Sequence, residues 1–296
     1  MTAAFFAILS SICFGTGDFF GGVAAKRADL LFIMIVNQIA GLVTILLAAS
    51  LLSPFHLSGS DLTFSILAGA STTIGIPLLY KGLAIAPMSI VAPVTALIAI
   101  LLPVVYGMVV LGETPGYLTI AGFALGGFAV FLLGGGDRII EVFKPAAGTS
   151  TTALRGLAYA LAAGLCIATF YVAMKRCSPG SGLWPLVAAR SVAITAIGGL
   201  VGLRHRSRPL RPPEGRLVTF ILLSGTLDSI ANAFYLIAAH GGDLGVVSTI
   251  TSLYPATTIL LARYILGERI SLPQAIGVGS ALVAIVAIIS NLQVTG

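Results

Sequence analysis

The segment Leu266-Gly267-Glu268 ends an apolar run that begins at Leu244, and Leu111-Gly112-Glu113 ends another that begins at Ile90. The two segments lie 155 residues apart in the chain. Other residues recur at the same separation, namely the pairs Tyr80 and Tyr235, Ala84 and Ala239, Val91 and Val246, and Gly122 and Gly277. Matches in a single register indicate an internal duplication, and this duplication decides the fold.

Apolar side chains dominate the whole chain of 296 residues. Hydrophobic residues make up 57% of it and charged residues 9%, with a mean hydropathy of +1.06. An average soluble chain is roughly a quarter charged, so a soluble fold of this size would lack the charges to cover its surface. The composition predicts an integral membrane protein, and we expect no separate soluble or catalytic domain.

Ten apolar stretches are long enough to cross a bilayer, which takes about 20 residues as a helix. They are Ala3–Ala25, Leu30–Leu52, Leu62–Gly82, Ile90–Leu111, Tyr117–Leu133, Leu154–Met174, Leu183–Leu203, Leu217–Ala239, Leu244–Leu266 and Pro273–Asn291. Backbone in lipid must satisfy its own hydrogen bonds, so the sequence predicts an all-α membrane protein with ten transmembrane helices.

The longest polar interruption, Gly134–Thr152, divides the spans into two groups of five. We predict a first five-helix repeat over residues 1–136, a connecting loop over 137–153 and a second five-helix repeat over 154–296. Because five is odd, the second repeat must enter the membrane from the opposite side. Inverted repeats of this kind are typical of secondary transporters, whose sites lie near the midplane between the repeats, so we expect a central cavity.

These features resemble the EamA-type members of the drug/metabolite transporter superfamily. The second half carries the resemblance through Leu253-Tyr254-Pro255, Leu266-Gly267-Glu268-Arg269 and Gln274-Ala275-Ile276-Gly277. The first half departs from it, because Ile100 stands where the family has a proline and Phe14-Gly15 stands in place of Trp-Gly. The resemblance implies transport of amino acids, other metabolites or drugs, and does not choose among them.

Basic residues are distributed unevenly between alternate loops. Thirteen fall on the side opposite the termini, namely Lys26, Arg27, Lys81, Arg138, Lys144, Arg155, Arg204, Arg206, Arg208, Arg211, Arg216, Arg263 and Arg269. Lys175 and Arg176 fall on the side of the termini. The positive-inside rule then predicts that both termini lie outside the cytoplasm, whereas the resemblance implies termini inside for most members.

Polar residues inside the spans are the candidate site residues, because charged groups in a membrane usually serve function or pair with each other. We predict a substrate-binding set of Asp18, Tyr80, Arg190, Asp228, Asn232 and Tyr235. An aspartate would bind an ammonium or a proton, and Arg190 would bind a carboxylate, as an amino acid requires. The alternative is that Arg190 and Asp228 pair across neighbouring helices and only stabilise the second repeat.

Other polar and small residues favour structural roles. We expect Asn37 and Gln38 to form interhelical hydrogen bonds and Glu113 and Glu268, at helix ends, to cap or contact loops. The small-xxx-small motif Gly122–Gly126 predicts close helix packing, either within one subunit or in a dimer through the fifth and tenth spans.

The sequence predicts a transporter that exports amino acids or similar small metabolites from the cell through the inner or plasma membrane. A multidrug exporter, a metabolite importer and a non-transporting scaffold remain alternatives, and proton coupling through Asp18 or Asp228 is left open. No hydrolase or zinc-protease motif indicates an enzyme, and Cys13, Cys166 and Cys177 lack metal-ligand spacing. We therefore expect no cofactor, no metal and no nucleic-acid partner, and a monomer or weak homodimer in the lipid bilayer.

Overall fold

The structure is a computed structural model that describes residues 2–25, 28–85, 88–134, 151–204 and 214–294. These residues form eleven α-helices, and a short 3-10 helix, Pro179–Ser181, lies between α6 and α7. The helices are α1 Thr2–Ala25, α2 Leu30–Leu52, α3 Gly59–Ile85, α4 Met88–Val109, α5 Tyr117–Leu133, α6 Thr151–Arg176, α7 Trp184–Arg204, α8 Gly215–Gly241, α9 Leu244–Thr251, α10 Tyr254–Leu266 and α11 Leu272–Val294.

The helices follow the ten predicted spans closely, and the ninth span is divided into α9 and α10. In the described residues, seven helical segments are long and apolar enough to cross a membrane, and two shorter ones are Val94–Val109 and Tyr117–Leu133. Helix α6 begins at Thr151, inside the predicted connecting loop 137–153. The part of that loop up to residue 150 lies outside the described residues.

Both Leu-Gly-Glu segments form the same turn after a helix. Gly112 has a φ of 72° and Gly267 a φ of 69°, a left-handed conformation that favours glycine. In each turn the glutamate N–H donates to the carbonyl six residues earlier, from Glu113 to Gly107 over 2.9 Å and from Glu268 to Ala262 over 3.3 Å. Both helices thus end in a glycine with the left-handed conformation common at helix C-termini, so the sequence duplication is also a structural one.

The helices of the two halves interleave, and the most extensive contacts of one half have counterparts in the other. Helix α1 packs along α8, as α6 packs along α3; α2 contacts α8, as α7 contacts α3; and α4 packs on α6, as α9 and α10 pack on α1. Helices α2 and α7 pack on each other, and so do α5 and α11. This pattern is unchanged when the halves are exchanged, as expected for a pseudo-two-fold axis.

Equivalent helices run in opposite directions across the membrane. The start of α1, at Ala3, lies against Gly242, and the end of α6, at Lys175, also binds the Gly242 carbonyl. We call this the terminal side, because Thr2 and Val294 lie there, and we call the opposite side, where α8 begins beside Arg216, the basic side. The repeats are therefore inverted.

The largest hydrophobic core lies in the terminal-side half of the molecule. It is formed by the start of α1, the ends of α2, α6 and α8, and α9, with Ala7, Ile45, Met174, Leu236 and Val247 among its members. On the basic side a much smaller cluster is formed by Ala24, Ile33 and Ile221. Among the described residues, the larger core therefore lies at the terminal side.

Candidate functional site

A cluster of polar side chains lies between α2, α7 and α8, in the middle of the bundle. The guanidinium of Arg190 in α7 forms an ion pair with the carboxylate of Asp228 in α8. It also donates a hydrogen bond to the side-chain oxygen of Gln38 in α2. The structure therefore brings together Arg190 and Asp228, as the alternative interpretation of the sequence expected, and adds a partner from the first repeat.

The Arg190 guanidinium passes α2 at a glycine. A Cβ atom added to Gly41 would lie 2.4 Å from Nη1 of Arg190 and 2.7 Å from Oγ of Ser229. The Ser229 hydroxyl donates to the Gly41 carbonyl over 2.8 Å, which joins α8 to α2 at this level. Gly41 thus leaves the space through which Arg190 reaches Asp228.

The Asp228 side chain accepts hydrogen bonds and is also partly exposed. Its carboxylate and backbone carbonyl accept from the side-chain amide of Asn232, over 3.3 Å and 2.7 Å. Even so, 38% of the Asp228 side chain is exposed, against 11% for Arg190. Asn37, one turn of helix from Gly41, donates to Ser224 of α8 over 3.1 Å, so Asn37 and Gln38 are interhelical partners as predicted.

Asp18 brings a second carboxylate to the cluster from α1. Its neighbour Gly17 lies against α8, where an added Cβ would sit 3.5 Å from the backbone nitrogen of Asp228. Asp18 is exposed and lies within electrostatic range of Asp228, Tyr171 and Tyr254. The segment of α1 that carries Asp18 therefore packs on α8 at the level of Asp228.

Aromatic residues lie close to Asp18 on α1 and on the neighbouring helices. Phe14 lies one turn before it on the same face of α1, and its ring contacts that of Tyr254 with centroids 6.2 Å apart. The Tyr171 ring stacks on Tyr235, with centroids 4.5 Å apart, on the terminal side. A solute at Asp18 would therefore meet apolar walls around a charged centre.

The other two predicted site residues stand apart from the exposed cluster. Tyr235 is fully buried, and its hydroxyl donates to the Tyr171 carbonyl over 3.1 Å. It supports Tyr171 from behind and presents no surface to a solute in this conformation. Tyr80 belongs to α3, but its side chain lies outside the described residues.

The break in the ninth span lies beside this cluster. Helix α9 ends at Thr251, and α10 begins at Tyr254 with Pro255 in its first turn. The α10 N-terminus contacts α1, where the Thr258 hydroxyl donates to the Gly15 carbonyl over 3.0 Å. The break therefore places backbone of the second repeat next to Asp18, as in transporters with discontinuous helices.

Charged residues hold the helix ends together at the terminal side. The Glu113 carboxylate accepts from the backbone N–H groups of Leu244 and Gly245 at the start of α9, and the Lys175 ammonium donates to the carbonyls of Ala239 and Gly242 over 2.6 Å and 2.8 Å. Burial raises the pKa of the Glu113 carboxyl, and the two N–H groups oppose that rise. Both contacts join different helices, so Glu113 has the structural role that the sequence predicts.

A second contact at the terminal side was not predicted. Asp61, at the start of α3, is fully buried and accepts from the backbone N–H and the hydroxyl of Ser178, over 2.7 Å and 2.8 Å. Burial raises the pKa of the neighbouring Cys177 thiol to about 11. The hydrogen bonds between Asp61 and Ser178 fix the loop between α6 and α7 to the first repeat.

Sequence reasoning missed Gly41, Ser229 and Asp61 as members of these contacts. Gly41 is one of 35 glycines, and nothing in the sequence marks it as the one that faces an arginine. In the described residues, no group of three or more His, Cys, Asp or Glu side chains is placed to hold a metal ion.

One family model and a set of solved structures match the chain. The model of the EamA-like transporter family matches residues 1–135 and 154–290. Among the solved structures, 29 chains match; one, described only as "Crystal structure of protein", has a TM-score of 0.77 and 17% identity, and covers 99% of this chain and 99% of its own. This likeness shows a shared fold. A search of curated proteins gives no match.

Proposed function

The chain belongs to the EamA-like transporter family, whose members are multi-pass membrane transporters of the drug/metabolite type, and we propose that it exports amino acids or similar small metabolites by alternating access. The proposed site is the cluster of Asp18, Arg190, Asp228 and Asn232. The observation that carries the proposal is that the cluster joins the repeats: Asp18 and Gln38 come from the first, and Arg190 and Asp228 from the second.

The charges of the cluster suit an amino acid. A guanidinium binds a carboxylate through two parallel hydrogen bonds, and a carboxylate binds an ammonium. A guanidinium and a partly exposed carboxylate side by side in a low-dielectric bundle support recognition of a solute that carries both charges. Buried charges of this kind are costly in a membrane, which favours a role in transport over a role in stability alone.

Packing supports an alternating-access cycle. The large core and the contacts of Glu113, Lys175 and Asp61 close the terminal side. Asp18 lies seven residues before the basic-side end of α1 at Ala25, about 10 Å along the helix axis. We therefore propose that a solute reaches the cluster from the basic side and leaves when the terminal-side contacts open.

The direction of transport follows from the basic residues. If the positive-inside rule holds, the basic side faces the cytoplasm, and the conformation described above is the one that loads a cytoplasmic solute. Proton exchange at Asp18 or Asp228 would then drive export through the inner or plasma membrane.

Counterflow in proteoliposomes tests the proposal. Liposomes loaded with a mixture of amino acids should accumulate a labelled member of that mixture, and Asp228→Asn should reduce the accumulation to the level of empty liposomes. Glu214→Gln, an exposed glutamate before α8 whose side chain caps no N–H, is the matched control and should transport normally.

The same variants separate transport from a scaffold role. Asp228→Asn should elute as a folded protein, because its amide still accepts from Arg190 and Asn232. Normal accumulation by Asp228→Asn would refute the proposed site. If the wild type exchanges no amino acid and the Asp228→Asn variant fails to fold, the scaffold role would be favoured.

A further inference from the structure

We infer that the site is built for a solute with two cationic groups and one carboxylate, which is the charge pattern of a dibasic amino acid. The inference rests on the proposed function and narrows its substrate class. It follows from which charges in the cluster already have partners and which do not.

Three charged side chains lie in the middle of the described spans, away from the helix ends. They are Asp18 of α1, Arg190 of α7 and Asp228 of α8. Described basic residues on the neighbouring helices lie at helix ends: Arg216 and Arg263 at the basic side, and Lys175 and Arg176 at the terminal side. The cluster therefore holds two negative charges and one positive charge, and its ionised form carries a net charge of −1.

The positive charge is already engaged. Arg190 forms its ion pair with Asp228, and a second N–H donates to Gln38. A guanidinium has five N–H donors, so donors remain for the carboxylate of a solute. The Arg190–Asp228 pair is neutral as a unit and would bind the α-carboxylate and α-ammonium of any amino acid.

Asp18 is the charge without an ionic partner among the described residues. Its carboxylate is exposed, and Asp228, the nearest charged side chain, has the same sign. An uncompensated charge at this depth costs a few kcal/mol on insertion scales. A second cationic group on the solute would remove that cost, whereas with a neutral zwitterion the Asp18 carboxylate has to stay unpaired or bind a proton.

The walls around Asp18 fit a long side chain with a cationic end. Phe14, one helical turn before Asp18, contacts Tyr254 of α10, and these rings offer apolar surface on which methylene groups can pack. Aromatic rings also attract an ammonium or a guanidinium. The aliphatic part of the solute would thus pack on the rings, and its terminal cation would pair with Asp18.

A panel of three related probes tests the charge pattern in counterflow. Lysine carries both cations and the carboxylate, norleucine lacks the terminal ammonium, and cadaverine lacks the carboxylate. Lysine should compete at least about tenfold better than norleucine or cadaverine, since a site built for a polar group rejects analogues that lack it.

Asp18→Asn supplies the sharper comparison. The variant leaves one aspartate opposite one arginine, so norleucine should now compete as well as lysine or better, and Glu214→Gln should keep the wild-type order. Norleucine equal to lysine in the wild type would overturn the inference and leave the proposed function intact. Exchange of no amino acid by folded protein would overturn both.

Discussion

The fourth and ninth spans are equivalent by the 155-residue repeat, yet they are built differently. Helix α4 is continuous from Met88 to Val109, and Ala99, Ile100 and Val104 in its terminal-side half are buried. The ninth span breaks after α9, every residue of α9 is buried, and none of α10 is. Among the described residues, the inverted equivalents therefore differ both in continuity and in burial.

Proline exchange between the two spans should give the largest effect. Ile100→Pro places a proline inside the continuous α4 and should lower the free energy of unfolding by about 3 kcal/mol. Pro255→Ala at the matching position should change it by less than about 1 kcal/mol, because proline in a first turn replaces no helix hydrogen bond. Thermal unfolding in detergent measures both, and equal costs would show that α4 is not continuous.

The glycine behind the ion pair tests whether the open side leads to a working site. Gly41→Ala should displace the Arg190 guanidinium, whose charge-assisted hydrogen bonds are worth about 2 kcal/mol, and should reduce counterflow roughly 10- to 100-fold. Gly22→Ala in α1, where an added Cβ meets nothing within 4 Å, is the matched control. Unchanged transport in Gly41→Ala would separate the ion pair from function.

Thiol labelling tests the difference in accessibility directly. Ala99 and Tyr254 are equivalent by the repeat; Ala99 is 4% exposed, and Tyr254 is half-buried beside Asp18. With the three native cysteines replaced by alanine, Tyr254→Cys should react with a small hydrophilic maleimide about tenfold faster than Ala99→Cys, a difference of about 1.4 kcal/mol. A reversed order would place the opening at the terminal side.

The Glu113 contact should give the smallest effect. Glu113→Gln removes a charged cap from the start of α9, which is worth about 1 kcal/mol, and should open the terminal side more often. A cysteine at the fully buried Thr251 of α9 should then react about fivefold faster. Glu214→Gln should leave that rate unchanged, and an unchanged rate in Glu113→Gln would mean that the contact does not close this side.

Sequence reasoning predicted the elements well and the contacts poorly. Apolar run length alone located the helices, because lipid admits little else, and the repeat of Leu-Gly-Glu gave the two-fold arrangement. Pro255 marks the break in the ninth span, although Pro77 lies inside α3 without dividing it.

The contacts within the site could be assigned only from the structure. Asp18, Arg190 and Asp228 were predicted from their cost in a membrane and Asn232 from its place one turn after Asp228, and the structure joins Arg190, Asp228 and Asn232 by side-chain contacts. Tyr235 matched Tyr80 in the repeat and was predicted to bind substrate, but its hydroxyl is used by the Tyr171 carbonyl. The direction in which a helical side chain points depends on which helix packs beside it, and those partners lie far away in sequence.

Interleaving of the repeats also bears on how the chain is made. Helix α5 ends at Leu133 and its partner α11 begins at Leu272, so at about 5–20 residues per second a ribosome needs roughly 10 to 30 seconds between them. During that interval the first five helices lie in the bilayer without their main packing partners, and Asn37 lacks Ser224, the acceptor of its hydrogen bond. The first half of the nascent protein is thus inserted well before it can complete its packing. Its unpaired helix surfaces must be covered by something else until the second half is made.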